Sequence, residues 1–144
     1  MPDKASLITE LEIAYVEFRD LVSMLPDDAF QRGGLGDWTL AQLLAHMGGW
    51  YREVSLNVAS ANPHPVSHYE AEDEWNARFV AEARYGMTAL DDFDEAFHAF
   101  YATLKGMPDA LFASEDGAGS GLLGGVGLLH FAEHRPAIEI WLQQ

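Results

Sequence analysis

The periodicity of apolar residues constrains this chain more than any other feature. Ile8, Leu11, Tyr15, Phe18, Val22 and Leu25 step by three or four, which makes one stripe on a helix that must be buried against another element. Leu25-Pro26-Asp27-Asp28 stops that helix, because proline disfavours helical dihedrals in the residue before it. Beyond the Gly33-Gly34-Leu35-Gly36 loop, Thr39 and Gln42 have the spacing of a capping box, and Trp38 and Leu43 can form a hydrophobic staple. A second helix starts there and carries Leu43, Leu44, Met47, Trp50, Tyr51, Val54 and Val58 until Asn62-Pro63-His64-Pro65 breaks it. The segment from about Glu70 to Arg84 reads as a further helix. Ala89 to Lys105 reads as a long one with the stripe Phe93, Phe97, Phe100 and Leu104. The Gly-rich stretch 117–127 reads as a loop, and a last helix ends near Trp141. No segment alternates like a strand. The expected class is all-α, a four-helix bundle with an additional short helix, in a single domain spanning residues 1–144. An internal echo fits two helical hairpins: Leu25-Pro26-Asp27-Asp28-Ala29-Phe30 is matched by Met107-Pro108-Asp109-Ala110-Leu111-Phe112.

Charge and composition then exclude several function classes. Eight Lys and Arg against 23 Asp and Glu give a net charge of −15, a field that repels nucleic-acid phosphates and anionic lipid. No apolar run approaches the ~20 residues that span a bilayer. The expectations are therefore a cytoplasmic protein with no nucleic-acid and no membrane partner. With no cysteine, thiolate ligands, disulfides and a cysteine nucleophile are all absent, so a transition metal must be held by histidine and carboxylate.

The candidate chemistry lies in three histidines. At 100° per residue, Leu123, Val126, Ala137 and Trp141 share one face of the last helix, with His130 and His134 in its middle. Histidines four apart lie one above the other, and both can reach one metal at ~2.0–2.1 Å. His46, on the flank of the second helix's stripe, supplies a third nitrogen if the two apolar faces pack. Three histidines plus an open position make a catalytic type of site, with zinc the default and nickel compatible. Only neutral imidazole binds a metal, so affinity is expected to fall as pH drops through about 6 to 5.

Three blocks, Asp37-Trp38-Thr39, Leu44-Ala45-His46-Met47-Gly48-Gly49-Trp50 and His130-Phe131-Ala132-Glu133-His134-Arg135, resemble the motifs of the DinB/YfiT-like superfamily. Asp73-Glu74-Trp75-Asn76 and Met107-Pro108-Asp109 follow in the matching order. The resemblance implies an up-down-down-up bundle that holds a divalent metal, nickel or zinc, on His46, His130 and His134. It also implies a homodimer. The superfamily includes mycothiol-dependent maleylpyruvate isomerases, bacillithiol S-transferases and ClbS/DfsB-like proteins. One departure is Pro136, which removes a helical N–H and is expected to kink the last helix at the site.

The expected function is a metal-dependent thiol S-transferase acting on a small molecule with an exogenous low-molecular-weight thiol. The alternatives are a metal-dependent hydrolase of the ClbS/DfsB type, or a non-catalytic small-molecule binder with a structural metal. Trp50 is the candidate wall of a cofactor or substrate pocket. Glu53 and Glu133 are candidate general bases or supports for the histidines. Gly119-Ser120-Gly121-Leu122-Leu123-Gly124 matches a dinucleotide fingerprint, but no strand precedes it, so it reads as a flexible loop. His64, His68 and His98 read as solvated.

Overall fold

A computed structural model describes residues 3–60 and 71–144. The first helix, α1 (Lys4–Val22), begins where the Asp3 carboxylate accepts from the Ser6 N–H, and it buries Ile8, Leu11, Tyr15, Phe18 and Val22 as the periodicity predicts. α2 (Leu40–Ala59) starts at the expected capping box: the Gln42 N–H donates to Thr39 Oγ1, and the Thr39 N–H donates to Gln42 Oε1. α3 (Glu72–Ala81) is the short extra helix, and three acidic residues in its first turn suit the positive end of the helix dipole. α4 (Met87–Gly106) buries the whole Phe93, Phe97, Phe100 and Leu104 stripe. Both halves of the Leu/Met-Pro-Asp echo form a 3₁₀ turn, Asp27–Gln31 and Asp109–Phe112, and each plugs the core with a phenylalanine, Phe30 or Phe112.

The stretch expected to be a Gly-rich loop is helical instead. α5 (Ala118–Leu122) runs through a π turn (Leu123–Leu128) into α6 (Leu129–Leu142), with right-handed helical dihedrals at every junction. Packing overrides the low helix propensity of glycine here. A Cβ on Gly119 lies 2.5 Å from the Phe112 ring, so only glycine lets this helix settle onto that aromatic. The fingerprint-like glycines thus serve helix packing, and no strand exists among the described residues to give them a nucleotide-binding role.

Three contact series fix the topology. α1 runs antiparallel to α4, with Lys4 at the Met107 carbonyl, Glu12 at Tyr101 and Arg19 at Asp94. α1 runs parallel to the last helix, since Leu11 faces Gly127, Phe18 faces Phe131 and Glu17 pairs with Arg135. α2 runs against the last helix: Leu43 lies near Ala137 and Tyr51 near Phe131. The order is up-down-down-up, as the family resemblance implies. The core at their centre is aromatic, with Tyr15 stacked on Phe97 at 4.0 Å and Tyr51 on Phe100 at 5.0 Å.

The π turn moves the buried stripe. An ideal helix would carry the core face from Leu123 and Val126 on to His130 and His134, but the extra residue in the π turn slips the register by one. Phe131 and Ile138 are buried instead, Trp141 is buried as expected, and Ala137 is exposed. His130 and His134 therefore sit at the edge of the core, turned toward α2, not in the middle of the face.

Among the described residues no helix is long and apolar enough to cross a membrane. His64 and His68 lie outside the described residues.

Candidate metal centre

His46 from α2 and His130 and His134 from α6 meet, with one ring nitrogen from each lying within 4.8 Å of the others. Ring centroids are 5.2 Å apart for His46 and His130, 5.3 Å for His46 and His134, and 5.5 Å for His130 and His134. Pro136 leaves the Ala132 carbonyl without its helical N–H, yet α6 continues through it to Leu142 and the three nitrogens still converge. The kink expected to disturb the site does not prevent the trio from forming.

One amide orients the first imidazole. The Trp50 indole N–H can only donate, and it donates to Asn76 Oδ1 at 2.7 Å, which fixes which way the Asn76 amide faces. The same oxygen lies 2.9 Å from His46 Nδ1, so that nitrogen carries the proton and Nε2 keeps its lone pair for the site. Asn76 arrives on α3 because Gly49 of α2 has no Cβ: one placed there lies 2.2 Å from Cγ of Phe79, whose ring occupies that space. Phe79 also meets the edge of Trp50 at 5.3 Å, and the Trp38 ring covers His46 at 4.7 Å.

Burial governs the electrostatics. Loss of solvation, then repulsion from His134, pushes the His46 pKa down to about 4 even though Asn76 opposes it. Loss of solvation, then repulsion from His46 and His134, pushes His130 down to about 3. His134 is also lowered by burial, against the pull of Glu133. All three are neutral at pH 7, the form that ligates metal. His130 Nδ1 is buried with no hydrogen-bond partner among the described residues. A shielded nitrogen lone pair or N–H without a partner is costly, and three neutral imidazoles within reach of one point are a donor set for a divalent transition metal. The residues present fit such an ion.

The trio opens into a cavity of about 430 Å³ with walls that include Trp38, Trp50, Val126 and Leu129, and Glu72 and Glu133 in its lining. A second cavity of about 380 Å³, lined by Leu35, Asp37, Leu43 and Ala137, shares Trp38 and His134 with it. Trp50 lies in the lining of this cavity, and Glu133 is an exposed carboxylate beside it. Glu53 is half-buried on α2 and is not among the lining residues. His98 is exposed, as expected. Asn76, Trp38 and Glu72 belong to the site without having been assigned a role in it from sequence. Asn76 ends the Asp73-Glu74-Trp75-Asn76 block that carries part of the family resemblance, but nothing in that block shows that its amide meets His46 and Trp50.

A family model described as the mycothiol maleylpyruvate isomerase N-terminal domain matches residues 11–128. That span includes His46 and ends two residues before His130, so the trio as a whole rests on geometry. A crystal structure of a protein from Streptococcus pneumoniae, from the Northeast Structural Genomics Consortium, superposes with a TM-score of 0.80 at 14% identity. The match covers 99% of this chain and 92% of that one, and it reports the fold. No curated protein matches the sequence. With more than half of its length matched by that family model and its topology that of a DinB-like bundle, the chain belongs to the mycothiol maleylpyruvate isomerase N-terminal domain family.

Proposed function

We propose that the protein is a metal-dependent thiol S-transferase that joins an exogenous low-molecular-weight thiol to a small electrophile. The observation that carries this reading is the convergence of three neutral imidazoles, one with an orphaned buried nitrogen, at an aromatic-walled cavity. His46, His130 and His134 would hold zinc or nickel. A divalent ion there lowers the pKa of a bound thiol and so supplies a strong nucleophile at neutral pH. The chain has no cysteine, so the thiol must come from solution, and the family's name carries mycothiol.

The remaining roles belong to the protein's own side chains. Asn76 holds His46 in the tautomer that aims Nε2 inward. Trp38 and Trp50 wall one side of the cavity, with the Trp38 ring lying against His46. Glu133 accepts the thiol proton as sulfur bonds to the electrophilic carbon and the leaving group departs with its electron pair.

Zinc- or nickel-loaded protein incubated with mycothiol and an electrophilic acceptor is expected to consume thiol, and metal-free protein and His130→Ala are not. Cleavage of esters or amides without any thiol dependence would instead support the hydrolase reading.

A further inference from the structure

The cavity's charge points to the class of electrophile it takes. Among the described residues its lining contains two carboxylates, Glu72 and Glu133, and no lysine or arginine. The chain has only eight such cations, and four of the arginines are engaged by other groups. Arg52 and Arg84 pair with Asp92, Arg135 is held between Glu17 and Glu139, and Arg78 lies over the Trp75 ring at 4.6 Å. Residues 61–70, outside the described structure, contain no lysine or arginine either. Two carboxylates offset the double charge of an ion on the histidines, so the loaded cavity offers no net positive field. Around it the whole molecule carries −15.

Recognition of a dicarboxylate needs cationic forks or several donors aimed at each carboxyl group. This cavity instead presents aromatic faces, which suit uncharged and cationic groups. We infer that the substrate is a neutral or cationic electrophile, with Glu72 and Glu133 selecting against anions such as the maleylpyruvate in the family's name. This inference rests on the proposed metal centre.

The test titrates cobalt(II)-loaded protein with three benzenethiols that differ only in the para group: a carboxylate, a carboxamide and an aminomethyl ammonium. Binding is read from the sulfur-to-cobalt charge-transfer band. The carboxamide and ammonium probes are expected to bind about tenfold more tightly than the carboxylate, the size of one or two screened charge contacts. In Glu72→Gln/Glu133→Gln the gap is expected to shrink to less than about threefold, and comparison with the native protein cancels the electronic effect of the para group. Raising salt in the native protein should narrow the gap in the same direction, a readout that needs no variant to fold. Equal binding of the three probes by native protein, or a gap that both the double exchange and high salt leave unchanged, would overturn the inference while leaving the metal centre intact. Absence of the band with every probe would overturn the centre and the charge preference together.

Discussion

Replacing Asn76 with leucine tests how the site is held. In the native protein one oxygen accepts from the His46 and Trp50 N–H groups, at 2.9 and 2.7 Å, and both rings are buried to within a tenth of their surface. Leucine is of similar size but accepts nothing, so the perturbation removes the shared acceptor with little change in packing. Two effects follow. Loss of an acceptor for buried donors costs about 1–3 kcal/mol in the metal-free protein, read as a lower urea midpoint at unchanged slope. His46 also loses the bond that fixes its tautomer, and removing such a partner typically lowers metal affinity by about 10–100-fold, or about 1.4–2.8 kcal/mol. Chelator competition with zinc measures the second effect directly. Asn76→Asp keeps an accepting oxygen and is expected to stay within about tenfold of native affinity. Folded Asn76→Leu protein that binds zinc as tightly as the native chain would refute the argument that this amide sets the imidazole.

Two further perturbations probe the same construction from a distance. Gly49→Ala puts a methyl group 2.2 Å from Phe79 Cγ, so α3 must move or the ring must leave. A stability loss of about 1–3 kcal/mol should be accompanied by weaker zinc binding, although the added methyl group meets Phe79 and not a histidine ring. Native stability and affinity in that variant would mean that α3 does not depend on the close approach. The metal-free protein should also lose stability in acid. The His46 and His130 pKa values are depressed to about 4 and about 3 from 6.5, so their contribution is complete above pH 6.5 and is lost as pH falls toward those values. At about 1.4 kcal/mol per pH unit for each imidazole, denaturation at pH 5 should show a protein about 2–4 kcal/mol less stable than at pH 7. A flat stability profile over that range would contradict the burial of neutral imidazoles. The same depression shifts proton competition for the metal below the pH 6 to 5 window that free histidine suggests.

What the sequence discloses depends on how local the cause is. The stripes of α1, α2 and α4 are legible because residues three and four apart share a face whatever else the chain does, and the Thr39 capping box needs only four consecutive residues. The helix from Ala118 to Leu128 is illegible because it exists only against Phe112 and α1, where glycine's low propensity is overruled. The π turn inside it adds one residue, which a fixed 3.6-residue period misplaces, and so the histidines move from the middle of a face to its edge. The trio remains recognisable through the four-residue spacing of His130 and His134 and the motif around His46. The amide that orients His46 is hidden, since its position depends on a missing Cβ at Gly49, 27 residues earlier in the chain.

X-ray absorption at the metal edge, on protein loaded with zinc and stripped of excess, examines the centre most directly. One zinc per chain, with three imidazole nitrogens at ~2.0–2.1 Å and an exchangeable light atom completing the sphere, is the expected spectrum, and His130→Ala should abolish it. Substoichiometric zinc, or a spectrum that His130→Ala leaves unchanged, would show that the three histidines hold no metal.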